Sequence, residues 1–249
     1  MIIVYSGIMN AKKLVAHRGD NTNYPENSSI GIKAALDAGA LFIELDVQMN
    51  ADKTLIVIHD TDFIRTAGLN QSVFNTHNNE ITGISIHEPQ RFSQQHDPTR
   101  LSNLSEMMTL ISRYPKVIVF VEIKEESLDH FGLEIVMDQL LADLKPYTSQ
   151  AVVISFSSDA IKYTQNKNKR LKTGWVLEKY NKEFQQRAIK IRPDYLFCNY
   201  KKIAQQALWK GDWKWAVYTV NTIDVAKQQL ESGVDLVETD DIGLLLSTD

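Results

Sequence analysis

Leu14-Val15-Ala16-His17-Arg18-Gly19 is an apolar run that stops abruptly at an imidazole, a guanidinium and a flexible residue. That pattern reads as a strand carrying chemistry at its C-terminal end. Pro25-Glu26-Asn27-Ser28 follows and opens a helix, for which Asn27 is a suitable N-cap. Strand, polar loop and helix make one half of a βαβ unit.

Three later segments repeat the theme. Phe42–Val47 places Glu44 and Asp46 two residues apart, which on a strand puts both carboxylates on one face. Leu55–Asp60 is apolar up to His59-Asp60, and Val117–Lys124 carries Glu122 and Lys124, again two apart. Two histidines, three carboxylates and two cations thus gather at or near the ends of apolar runs.

His17-Arg18-Gly19, Pro25-Glu26-Asn27-Ser28, Glu44-x-Asp46, His59-Asp60 and Glu122-x-Lys124, in this order, resemble the signature of the glycerophosphodiester phosphodiesterase family. Each motif alone is weak; the ordered set is specific. The resemblance implies a metal-dependent hydrolase that releases glycerol 3-phosphate and an alcohol. It also implies Glu44, Asp46 and Glu122 as metal ligands.

Composition agrees with a globular enzyme. A chain of 249 residues suits one α/β barrel, and 43% apolar with 23% charged residues is ordinary for such a protein. The net charge of −4, without a basic run, gives no reason to expect nucleic acid or an anionic membrane as partner. The single cysteine, Cys198, cannot form an intrachain disulfide, which fits a reducing, cytoplasmic location. No apolar stretch approaches the ~20 residues of a membrane span. Met1–Met9 is a poor signal peptide and reads as a loose extension, or as residues ahead of a start at Met9.

Apolar runs fit for buried parallel strands recur at 13–17, 42–47, 55–59, 117–123, 151–156, 172–177, 194–198, 214–220 and 235–239. Helical patterns separate most of them, at 28–38, 103–113, 128–144, 159–166, 181–190, 201–209 and 222–232. Asn103 and Glu106 are spaced as a capping box, and Asn221 or Thr222 is placed to cap the last helix. The alternation predicts a TIM-like (β/α)8 barrel, with one strand more than the eight required. The surplus is 55–59: the link from the preceding run is too short for a helical crossover, and Asp52-Lys53 suggests a tight turn. Residues 60–101 are polar and aperiodic. They read as an insertion over the barrel mouth within a single domain, with His77, His87 and His96 as solvated groups.

The residue types suggest roles. Glu44, Asp46 and Glu122 offer only oxygen, which favours a hard cation such as Mg²⁺ or Ca²⁺ over Zn²⁺. His17 and His59 suit general base and general acid, in either order, because imidazole titrates near neutrality. Asp60 is a candidate to orient Arg18 or His17, or to cap a turn. Arg18 and Lys124 are candidate phosphate ligands, with pairing to a ligating carboxylate as the alternative for Lys124. Tyr218, where the family motif usually has Trp, is either a pocket wall against the glycerol or core. Trp209, Trp213 and Trp215 read as packing. At the closing strand, Glu238 stands where the family usually has an apolar residue, and no proline follows the turn. The expected substrate is a small glycerophosphodiester. A phospholipase- or lysophospholipase D-type enzyme and a non-catalytic phosphate-binding barrel are the rivals.

Overall fold

The computed structural model describes residues 9–203 and 206–246. Nine strands form one sheet, and eight of them are parallel and close on themselves. The staves are β1 (Leu14–His17), β2 (Phe42–Met49), β3 (Ile118–Ile123), β4 (Ala151–Ser155), β5 (Lys172–Leu177), β6 (Tyr195–Asn199), β7 (Lys214–Tyr218) and β8 (Leu236–Thr239). Each pairs with the next, and β1 completes the ring against β8 with Val15 opposite Glu238. The surplus strand, Leu55–Val57, runs antiparallel to β2, as its short connection predicts. Asn50 organises that turn, its Oδ1 accepting from the N–H groups of Asp52 and Thr54.

Strand alternation sorts side chains into two cores. Outward residues such as Ile43, Leu45, Val119, Val121 and Leu196 pack beneath the helices. Among these are α1 (Ser29–Asp37) and α2 (Leu104–Ile111), the latter started by the Asn103/Glu106 capping box. Inward residues Val15, Phe120, Ile154, Val176, Phe197 and Leu236 fill the barrel. At about 1.5–3 kcal/mol per fully buried large apolar side chain, this plug is a firm floor. Gly174 belongs to it: a Cβ there would meet Ile154 Cγ2 at 2.9 Å and Phe197 at 3.1 Å. One inward step further toward the C-terminal end, Val15 gives way to His17, Phe120 to Glu122 and Leu236 to Glu238. The polar layer therefore sits directly on an apolar one.

Several local expectations are corrected. The N-cap of α1 is Ser28, whose Oγ accepts from Gly31 N at 3.0 Å, and not Asn27, which is left-handed (φ 55°). The helix expected over 128–144 starts at Glu125 and is split at Gly132 (φ 90°) into α3 (Glu125–Phe131) and α4 (Leu133–Leu144). Of the helix expected over 201–209, Tyr200–Ile203 is helical and 206–209 are not; 204 and 205 lie outside the described residues. Beyond it, Tyr180 Oη donates to Ala207 O and accepts from Trp209 N, holding that backbone off a helical path. Of the two candidates for the last cap, Thr222 precedes the helix Ile223–Glu231, as one of the two readings had it, and Asn221 Nδ2 donates to Asp240. Trp209 and Trp215 do pack, against Tyr180 and each other.

Residues 60–101 are more ordered than their sequence suggests. They form a small hairpin (Asp62–Phe63 with Leu69–Ser72) and short helices around Phe63, Val73, Ile81, Ile84, Ile86 and Leu101. His77 is exposed, as expected, but His96 is half-buried against Tyr24 and Phe92, and His87 is buried against Ser85. Of the N-terminal extension, Met1–Ile8 lie outside the described residues; Met9 is buried and its N–H donates to Leu245 O. Among the described residues no helix is long and apolar enough to cross a membrane.

Candidate active site

The β1–α1 loop is a tight backbone device. Arg18 (φ 58°) and Gly19 (φ 89°) are both left-handed, and a Cβ on Gly19 would stand 2.7 Å from the backbone of Gly31 and Ile32. Only glycine permits the loop to close on α1 this way. The close approach turns Asn27 toward β2. Its amide donates to Asp46 Oδ2 at 2.9 Å and accepts from Asp46 N at 3.1 Å.

Glu44, Asp46 and Glu122 do converge. One carboxylate oxygen of each lies within 4.8 Å of the others, and all three residues are buried. Asp46 stands opposite Glu122 in the β2–β3 register. Lys124 Nζ is 2.8 Å from Glu122 and 3.5 Å from Asp46. Arg18 Nε is 3.0 Å from Asp46 Oδ2, and its Nη1 donates to Glu26 Oε1 at 3.0 Å. Both expected phosphate ligands are thus paired to carboxylates, while both also line the cavity.

The balance of charge remains negative. Burial would raise Asp46, but Arg18 and Lys124 outweigh it and hold this carboxyl below the usual range. Burial together with Asp46, Glu238 and Glu122 pushes Glu44 well above it, and burial raises Glu122 despite Lys124. Glu44 Oε1 is buried with no hydrogen-bond partner among the described residues. An all-oxygen cluster with an orphaned anionic atom fits a hard divalent cation.

The two histidines are held alike. His17 Nδ1 lies 2.6 Å from Asp240 Oδ1, and His59 Nδ1 lies 2.7 Å from Asp60 Oδ1. Each carboxylate takes Nδ1 and leaves Nε2 for the cavity. Burial would lower the His17 pKa, but Glu238 and Asp240 reverse this and raise it. His59 is the more open, its side chain 34% exposed against 15% for His17. Asp60 therefore orients His59, where the sequence had suggested Arg18, His17 or a turn.

Other contributors have no site role in the sequence reading: Glu238 stands there as a departure, Glu26 in a helix-opening motif, and Asn21, Arg65, Glu88 and Arg91 are not singled out. Glu238, buried on β8, brings Oε1 to 3.6 Å from His17 Nε2. Its two-residue spacing from Asp240 repeats that of Glu44-x-Asp46 and was the available signal. Glu26 is a buried carboxylate gripped by Arg65 at 2.7 Å through both guanidinium Nη atoms. Arg65 also holds Asp60, at 2.8 and 3.1 Å. Arg91 bridges Glu88 and Asn21, and Asn21 Nδ2 donates to Asp240 Oδ1 at 3.1 Å. Arg65, Glu88 and Arg91 come from 60–101, so that segment ties the supports of the two histidines together.

His17, Arg18, Glu44, His59, Glu122, Lys124 and Glu238 line a cavity of about 230 Å³, with Ile154, Phe156, Val176 and Phe197 as its apolar wall. Tyr218 packs its ring on the barrel core and also lines the cavity. Burial raises its phenol pKa, so the hydroxyl stays protonated.

A model of the glycerophosphoryl diester phosphodiesterase family matches residues 17–244. A glycerophosphodiester phosphodiesterase of Caldanaerobacter subterraneus subsp. tengcongensis is 27% identical over 241 residues, covering 94% of this chain and 96% of that protein. An Oleispira antarctica phosphodiesterase, solved with the product sn-glycerol-3-phosphate, superimposes with a TM-score of 0.82 at 20% identity, covering 94% of each chain. A glycerophosphodiester phosphodiesterase from Thermotoga maritima gives 0.77 at 22% identity, covering 96% of this chain and 98% of that one. The solved structures share the barrel, and the family match spans every strand end just described from His17 onward. The chain belongs to the glycerophosphoryl diester phosphodiesterase family and is an enzyme of that class.

Proposed function

We propose that this chain hydrolyses small glycerophosphodiesters to glycerol 3-phosphate and an alcohol, with His17 and His59 as its proton-transfer pair. The observation that carries this reading is the shared cavity. Two imidazoles, each fixed through Nδ1 by a carboxylate, line one space with Glu44, Glu122, Arg18 and Lys124. At about 230 Å³ the cavity is smaller than the ~300–1,000 Å³ of drug-sized sites, which suits the glycerophosphoryl part with the alcohol toward solvent.

Glu44, Asp46 and Glu122 would hold one divalent cation, Mg²⁺ or Ca²⁺. When bound it supplies positive charge against the phosphoryl oxygens and lowers the pKa of a nearby hydroxyl. The matched motifs contain no obvious serine, threonine or cysteine nucleophile, so the attacking oxygen comes from the substrate or from water. The substrate's own 2-hydroxyl stands next to the phosphoester and needs no separate positioning. His17, the buried imidazole, takes the proton of that hydroxyl at Nε2. His59, the open one, gives a proton to the departing alcohol. Water then opens the resulting cyclic phosphate with the two roles reversed. Arg18 and Lys124 offset charge on the phosphoryl group.

The test is release of glycerol 3-phosphate from a panel of deacylated phospholipids, with and without EDTA, beside a lysophospholipid. Chelator-sensitive release from the deacylated diesters is expected. Chelator-resistant turnover, or preference for the lysophospholipid, would overturn the reading.

A further inference from the structure

Glu238 adds a second cluster to the cavity. It is 3% exposed, its Oε2 has no hydrogen-bond partner, and its Oε1 lies 3.6 Å from His17 Nε2. Glu44, 2% exposed, brings Oε2 to 4.0 Å from the same nitrogen and leaves Oε1 without a partner. One ligand atom from each of His17, Glu44 and Glu238 falls within 4.8 Å of the others. Two buried carboxylates with orphaned oxygens, aimed at one imidazole, leave negative charge that burial makes expensive.

The imidazole is prepared for coordination as well as for proton transfer. Its Nδ1 is committed to Asp240, the arrangement that ordinarily accompanies a metal-ligating histidine and directs the Nε2 lone pair outward. The donor set differs from that of Glu44, Asp46 and Glu122. A nitrogen replaces one oxygen, and this moves the preference from Mg²⁺ and Ca²⁺ toward borderline ions. Neither Arg18 nor Lys124 makes an ion pair with Glu238, whereas Asp46 has both. Glu44 belongs to both clusters, so two ions bound there would share a carboxylate, as in two-metal centres with spacings near ~3.5–4 Å.

We propose that His17 Nε2, Glu44 and Glu238 form a second cation site, favouring borderline divalent ions such as Zn²⁺ over Mg²⁺ and Ca²⁺, whose occupation switches the enzyme off. The inhibitory direction rests on the proton-transfer role proposed for His17, because an ion on Nε2 takes the lone pair that role requires. The site itself does not depend on that role.

Mn²⁺ alone is the probe, because both donor sets accept it and its paramagnetism reports on a neighbour. Stoichiometry and low-temperature electron paramagnetic resonance are recorded on the metal-depleted full chain as Mn²⁺ is added. The wild type is expected to bind two ions with an exchange-coupled spectrum. Glu238→Gln and Glu238→Leu are expected to bind one ion and to give the six-line spectrum of isolated Mn²⁺; the second variant removes any residual amide ligand. Wild-type turnover should fall roughly 10²-fold as the coupled spectrum grows, the scale of losing a general base. A single ion at saturation overturns the site, and so do two uncoupled ions, which would put the second elsewhere. A coupled pair whose formation leaves turnover unchanged overturns the inhibitory role and the assignment of His17 as base.

Discussion

His17 Nδ1 lies 2.6 Å from Asp240 Oδ1, although the two residues are 223 positions apart. The contact crosses the seam where β8 meets β1, so it exists only when the barrel is closed. Asn21 and Asn221 donate to the same carboxylate at 3.1 and 2.8 Å. A carboxylate so held fixes the proton on Nδ1. Asp240→Asn can turn an amide N–H toward Nδ1 and force the opposite tautomer. Turnover is expected to fall by roughly 10²–10⁴-fold, as when a histidine loses the carboxylate that sets its tautomer. Mg²⁺ affinity should change little, because Asp240 lies outside the all-oxygen cluster. Turnover within a few-fold of wild type would mean that Asp240 does not control the tautomer.

The two histidines should separate with leaving group. If His59 protonates the departing alcohol, a substrate releasing p-nitrophenolate needs no such proton. His59→Ala should lose roughly 10²-fold or more on a choline-type diester and much less on the nitrophenyl one. His17→Ala should lose a similar factor on both. Equal losses for both variants on both substrates would contradict the assignment of His59 as acid.

Arg65 neutralises Asp60 and the buried Glu26 from the inserted segment. Burial would raise Glu26, but Arg65 and Arg18 reverse that and hold it below the usual carboxylate range; His59 first, then Arg65, hold Asp60 below it as well. Carboxyls with depressed folded pKa values contribute stability above about pH 4, and it is lost as pH falls toward the folded values. Arg65→Met should raise the acid-unfolding midpoint. At pH 7 it should cost roughly 2–3 kcal/mol, below the ~3–5 kcal/mol of a fully buried pair because Arg65 is 41% exposed. Urea melts at pH 7 and an acid titration followed by circular dichroism measure both. An unchanged acid midpoint would show that the Arg65 contacts carry no linkage.

Cys198 lies on β6, buried beneath the helices, and burial pushes its thiol up to about 12. The thiolate is the reactive form, so the native chain should resist alkylation at pH 8 and react rapidly in denaturant. Rapid modification of the folded protein would mean that this strand opens.

The barrel was legible because buried parallel strands are short apolar runs, and the runs at 14–17, 42–47 and 117–123 each end in the groups that line the cavity. The hairpin at Leu55–Val57 was legible from the length of its connection. Residues that act across the chain were harder. Glu26 stood in a motif that reads as a helix start, yet its carboxylate meets Arg65, 39 positions on. Glu238 and Asp240 repeat the spacing of Glu44-x-Asp46, but their approach to His17 comes from the β1–β8 register, which no local pattern encodes. The helix expected over 201–209 does not include 207–209 for a similar reason: the hydroxyl of Tyr180, from another loop, competes for that backbone. Phosphate binding by Arg18 and Lys124 was inferred from residue type. For Lys124 the alternative, pairing with a ligating carboxylate, is what Glu122 provides, while the grip of Arg18 on both Glu26 and Asp46 appears only in three dimensions.

The central claim is that the substrate's 2-hydroxyl, not an enzyme group or free water, attacks phosphorus under the control of His17. Its most direct measurement compares turnover of a glycerophosphodiester with that of an analogue lacking only the 2-hydroxyl, both at saturation with the divalent cation. The account predicts that the analogue turns over more slowly by several orders of magnitude, on the scale of losing an intramolecular nucleophile. Hydrolysis of the analogue at a rate close to that of the natural diester would contradict it.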